Sequence, residues 1–98
     1  MANVPPFLQP LAENDPEFAQ RVVELQRFAE ADGALDANTK TLMELLGDAI
    51  LGHHNGVAAI AERARQQGVS DQQIVETVRM AYTIAGMPAL VTGLRAFK

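Results

Sequence analysis

Two adjacent histidines, His53 and His54, follow Glu44 and Asp48 closely, and these four side chains form the densest group able to move a proton. Glu44 and Asp48 stand four apart, so a helix carries both on one face. A neutral imidazole beside carboxylates can act as a base or hold a metal, and acid–base work would suit a small carboxylic acid, lactone or carbonyl compound. A plainer reading competes with this one. Adjacent side chains point in different directions on a helix, and Gly52-His53-His54-Asn55 is also a sequence that turns and caps a chain. Tyr82 offers a phenol that could contact substrate in the same pocket, or a packing residue with its hydroxyl in water. Arg79 and Arg95 carry guanidinium groups that take a carboxylate two-pronged, or simply keep a surface charged.

Metal and cofactor chemistry have weaker support. Two histidines with Glu44 or Asp48 would make the three protein ligands of an open zinc site. The His-x-x-x-His spacing that puts two imidazoles on one helical face is missing, so no metal is expected. There is no phosphate-cradling glycine loop, no Gly-x-Ser-x-Gly elbow and no dinucleotide fingerprint, and no cofactor is expected.

Helices must position these groups. Asp15 followed by Pro16 is a helix start, and Phe18, Val22, Leu25 and Ala29 run at helical spacing to a stop at Ala31-Asp32-Gly33. A second start at Asp36 leads into Leu42, Leu45, Leu46, Ala49 and Ile50, one apolar face that ends at Gly52. Val57, Ile60, Ala61 and Ala64 form a third face, closed by Gly68. Ser70 and Gln73 read as a capping box opening a fourth helix through Ile74, Val78, Ala81 and Ala85. Gly86-Met87-Pro88 should break it, leaving a short helix from Ala89 to Phe97. No alternating strand pattern competes, so the chain reads as all-α, four main helices plus a short C-terminal one. Residues 1–14, with Pro5, Pro6 and Pro10, are predicted to form an extended apolar arm ahead of a single helical domain at 15–98.

Several stretches, in their order, resemble one known superfamily. They are DGALD-x-x-TK at Asp32–Lys40, Ala64 before Gly68-Val69-Ser70, Gln73-Ile74-Val75-Glu76, and Tyr82 before Ala85-Gly86-Met87-Pro88-Ala89. Together they resemble the carboxymuconolactone decarboxylase and alkylhydroperoxidase D-like superfamily, over most of the chain beyond Asn14. The resemblance implies an alkylhydroperoxidase D-like helical bundle that assembles as a trimer or hexamer, with pockets near subunit contacts. It also implies site positions. The family's Cys-x-x-Cys-x-x-x-His motif would fall with its cysteines at His53 and Gly56 and its histidine at Ile60, and an upstream glutamate at Thr41. A thiol peroxidase needs a thiolate and a resolving thiol, so the peroxiredoxin-like activity of that superfamily has no atoms to run on here. In the decarboxylase branch, too, the histidine would fall at Ile60, which cannot transfer a proton. Two functions remain open. One is lyase-like acid–base chemistry by Glu44, His53 and His54, with Tyr82 contacting a small acidic molecule; the other is a non-catalytic oligomeric binding or assembly module.

Composition narrows the partners. Eight basic and twelve acidic residues give a net charge of -4, the wrong sign for a phosphate-binding surface, so nucleic acid is not expected. With no cysteine, disulfides are excluded in any compartment. The first residues lack a basic region followed by an apolar run, and no apolar run approaches ~20 residues, so a cytoplasmic protein off the membrane is expected. An apolar arm and short amphipathic helices in a chain of 98 residues favour self-association.

Overall fold

The computed structural model describes residues 4–97, and among these there is no strand. The first three residues of the expected arm lie outside the described residues. Six α-helices are formed: α1 Gln9–Asn14, α2 Pro16–Glu30, α3 Ala37–Leu51, α4 His54–Gln66, α5 Asp71–Ala85 and α6 Met87–Gly93. Short 3-10 turns precede α1 at Pro6–Leu8 and follow α6 at Leu94–Ala96.

Side-chain oxygens set three of the helix starts by taking an amide that has no partner inside the helix. Asp15 accepts from the Phe18 amide at 3.1 Å to open α2. Asp36 accepts from the Thr39 amide at 2.7 Å to open α3, and this bond holds the Asp36 carboxyl below the ordinary carboxylate value. At α5 the expected capping box is complete. The Ser70 hydroxyl accepts from the Gln73 amide at 3.1 Å, and Gln73 Oε1 accepts from the Ser70 amide at 2.8 Å. Gly52 (φ 76°) and Gly68 (φ 90°) end α3 and α4 in the left-handed region, which costs glycine little.

The extended arm is a correction. Proline was expected to exclude helix from the first fourteen residues, yet Pro6–Leu8 and Gln9–Asn14 are helical. The physical reason is position: Pro6 and Pro10 sit in first turns, where the missing amide would have had no partner anyway. The chain divides into two compact units, one ending at Ala34 and the other beginning at Leu35. The division thus falls after α2, where the sequence reading drew a boundary after the arm. In the first unit α1 packs on α2, Ala19 is buried, and Phe7, Phe18, Leu25 and Phe28 remain exposed.

The second unit packs α3 against both α4 and α5. Its core is Leu45, Ala61, Ala64, Val69 and Ile74, with Leu42, Val57 and Ile60 against it. The apolar face read from α4 points inward, and that of α3 does so through Leu42 and Leu45, while Ile50 at its end is exposed. Along α5 the expected face is only partly used: Ile74 is buried, whereas Val78 is half exposed at 50%. The four helices of so small a unit cannot cover every apolar side chain they carry.

The break at Gly86 is milder than expected. Gly86 keeps right-handed helical dihedrals (φ -89°, ψ -42°), and the terminal helix begins at Met87, two residues early. Pro88 interrupts only the donor series, since residues in the first turn of α6 need no donor to α5. As a result Asp71–Ala96 runs for 26 residues, long and apolar enough to cross a bilayer by length and composition, with almost none of it buried. The expectation that no apolar run approaches ~20 residues concerned uninterrupted runs, and Glu76, Arg79 and Arg95 interrupt this helix.

Candidate functional site

The site is built on the α3–Gly52–α4 turn. Gly52 reverses the chain, so Asp48 in the last turn of α3 meets His53 at the start of α4. The His53 amide donates to the Asp48 carbonyl at 2.9 Å, and the His53 ring nitrogen Nδ1 lies 3.2 Å from Asp48 Oδ1. An ionised carboxylate only accepts, so Nδ1 carries the proton in this contact and Nε2 is left as the basic nitrogen. The His53 side chain is 57% exposed against 26% for Asp48. The carboxylate is the inner, more constrained partner. His53 is also the N-cap of α4, yet its side chain takes no amide of that helix.

Gly56 completes this corner. A Cβ at position 56 would run into Asp48 Oδ2 and approach Asp48 Cγ to 3.2 Å. The missing side chain is what leaves space for the Asp48 carboxylate beside the first turn of α4, an end of the helix that favours negative charge.

A second pair lies one turn back along α3. Arg63 Nη2 on α4 donates to Glu44 Oε2 at 2.6 Å. This short charge-assisted bond joins the two helices across the core edge. Glu44 is thus engaged by a guanidinium, while His53 is engaged by Asp48.

The four residues named from the sequence are accordingly dispersed. Glu44 and His53 belong to different pairs. The His54 imidazole and the Tyr82 hydroxyl have no hydrogen-bond or ion-pair partner among the described residues. The Tyr82 ring is 61% exposed and lies against Gly86, where a Cβ would come within 3.0 Å of it. Among the described residues no three His, Cys, Asp or Glu side chains gather closely enough to hold a metal ion. Arg65, by contrast, makes an exposed 2.8 Å bond to Asp71, which holds its guanidinium above the ordinary value and helps pin the α4–α5 connection.

Of the positions that the superfamily resemblance assigns to the redox machinery, Gly56, Ile60 and Thr41 carry structural groups, while position 53 carries the exposed imidazole paired with Asp48. His53 is the N-cap of α4, Gly56 lies in its first turn and Ile60 nearly two turns in. Ile60 packs on the core. Thr41 is buried at 4% exposure, its hydroxyl 2.9 Å from the Ala37 carbonyl and 3.1 Å from Gln67 Oε1. Sequence reasoning missed the partnership of Asp48 with His53, the role of Gly56 and the engagement of Arg63. The signal available was a glycine at 52 between an acid and a histidine five apart, because a turn there folds the two together.

The comparisons with known proteins agree with this architecture. The chain is 26% identical over 89 residues to an uncharacterized protein of Methanocaldococcus jannaschii, covering 91% of this chain and 83% of that one. No solved structure matches it. The model of the carboxymuconolactone decarboxylase family matches residues 16–98, from the first residue of α2 onward. The chain belongs to the carboxymuconolactone decarboxylase family.

Proposed function

We propose that this protein works as a homo-oligomer, a trimer or hexamer, in which His53 transfers protons on a small carboxylic acid or lactone. The observation that carries the reading is the engagement of the His53 ring: one nitrogen is held by Asp48 and the exposed imidazole keeps the other for substrate. His54 on the next residue and Tyr82 on α5 serve as substrate contacts in this reading, and Glu44 keeps the α3–α4 pair in register through Arg63. Thiol peroxidase chemistry is no part of it, since the chain has no cysteine.

Support for assembly comes from α5 and α6. Val75, Val78, Ile84, Leu90, Val91 and Leu94 are each exposed by two-fifths or more. Gln72, Glu76, Arg79 and Thr83 recur at i, i+4, i+7 and i+11, a polar stripe on the side of α5 away from Ile74. Glu76 and Arg79 on that stripe would be costly to place in hydrocarbon. A second copy covers the apolar sides and leaves the stripe in water.

A non-catalytic oligomeric binding or assembly module on the same fold is the second reading, favoured by the dispersal of Glu44, His53 and His54 over separate environments. Screening lactones and small carboxylic acids by thermal shift, then by turnover, separates the two. Under the enzymatic reading His53→Ala lowers turnover by roughly 100-fold or more and leaves assembly intact. Turnover unchanged by that substitution, or no ligand raising the melting temperature, favours the module.

A further inference from the structure

We infer that Asp48 is the positioning residue of His53 and that Gly56 exists to admit its carboxylate; the catalytic weight of this inference rests on the acid–base reading above. Asp48 is reached only through the tertiary turn. Its carbonyl takes the His53 amide at 2.9 Å while its Oδ1 faces His53 Nδ1 at 3.2 Å, so one residue holds the histidine by backbone and by ring. Two contacts to the same partner fix both the place of the His53 backbone and the rotation of its imidazole.

The consequence is a choice of tautomer. A free neutral imidazole in water carries its proton mainly on Nε2. With Asp48 accepting from Nδ1, the balance moves to the Nδ1–H form, and the lone pair points out from Nε2. That is the form a general base needs, and after it takes a proton the adjacent carboxylate faces the charged ring. No atom is consumed: the proton enters and leaves at Nε2 while the Nδ1 proton stays on the ring, donated to the ionised Asp48 carboxylate.

Gly56 is the third member. A Cβ there would meet Asp48 Oδ2, Asp48 Cγ at 3.2 Å and His53 Cβ at 3.5 Å, so any side chain competes with the carboxylate for this volume. The same position is where the superfamily resemblance places the second cysteine. The space that a resolving thiol would fill is held instead by an oxygen of Asp48. The redox pair and the Asp48–His53 pair are thus mutually exclusive occupants of one corner.

The test is the imidazole 15N spectrum of the full chain at about pH 8.5, two units above the ordinary histidine value of ~6.5. Wild-type His53, identified by its loss in His53→Ala, is expected as the Nδ1–H tautomer, and His54 as mainly Nε2–H. Asp48→Ala moves the His53 signals to the His54 pattern. Asp48→Asn keeps the shape but offers an amide N–H that can donate to Nδ1, so it releases the Nδ1–H form and moves His53 toward Nε2–H. Gly56→Ala, which should not weaken a helix since alanine is the better helix former, reproduces the Asp48→Ala spectrum by displacing the carboxylate. Far-ultraviolet circular dichroism confirms that each variant is folded. A His53 tautomer that is unchanged in Asp48→Ala overturns the positioning role, and one unchanged in Gly56→Ala overturns the role of the glycine. The spectrum is read without substrate, so absent turnover alongside these tautomer shifts would sink the acid–base function and leave the inference standing.

Discussion

Arg63 reaches across from α4 to within 2.6 Å of Glu44 on α3, and this bond separates a carboxylate from the histidines it accompanies in sequence. The two side chains are 28% and 41% exposed for Glu44 and Arg63, so water screens the pair in part. Glu44→Gln is expected to lower stability by about 1 kcal/mol, a charge-assisted bond discounted for that exposure. Urea denaturation reads the change. In a reaction carried by His53, the same variant keeps its turnover to within about tenfold, and a larger fall would return Glu44 to the chemistry.

Thr41 tests whether the position where the resemblance places a glutamate can still hold one. The site is 4% exposed and offers the Ala37 carbonyl and the Gln67 amide group as neighbours. Thr41→Glu brings a charge into that space and is expected to cost about 3 kcal/mol or more, because burial penalises an ion and the carbonyl repels it. Thr41→Val keeps the shape, loses only the hydroxyl, and is expected to cost about 1 kcal/mol. A urea midpoint for Thr41→Glu equal to that of the wild type would show that the pocket is more open than its geometry indicates.

Asp36 makes stability depend on acid. The Thr39 backbone amide, then the Thr39 side chain, hold its carboxyl below the ordinary value of 3.8 in the folded chain. The unfolded chain therefore takes up the proton first. The contribution is fully present above the unfolded value and is lost as pH falls through the lower folded one. Asp36→Asn keeps an accepting oxygen at the helix start without a charge. Its melting temperature is expected to fall less steeply than that of the wild type below pH ~4. Parallel curves would remove Asp36 from the acid response.

Assembly through α5 and α6 predicts a loss on charging that surface. Leu90 and Val91 are 53% and 55% exposed, so a glutamate at either position meets little of its own unit. Leu90→Glu is expected to shift the sedimenting species to a smaller one while the helical circular dichroism persists, since a charge left in an apolar contact has no compensating partner. A wild-type chain that sediments as a monomer would end the oligomer proposal by itself.

Helix starts and stops were legible in sequence because they are local chemistry. Asp15, Asp36 and Ser70 each act on an amide three residues on, and Gly52 and Gly68 act on their own φ. The apolar faces of α3 and α4 were legible for the same reason, since helical spacing alone aligns Leu42 with Leu45 and Ile60 with Ala64. The arm was misread because proline's effect depends on whether it falls in a first turn, and that depends on where the helix begins.

The pairing of site residues belongs to a different order of information. Glu44 and His53 look like neighbours in a line of letters, yet Arg63 is nineteen positions from Glu44 and takes it. Asp48 looked like one acid among several until the turn at Gly52 laid it against His53 and Gly56 gave it room. Sequence alone determined that this is a helical chain without a thiol for redox work, because spacing and composition need no third dimension. Only the tertiary structure decided which acid serves which base, because hydrogen bonds are settled by distances of about 3 Å that separation along a chain does not encode.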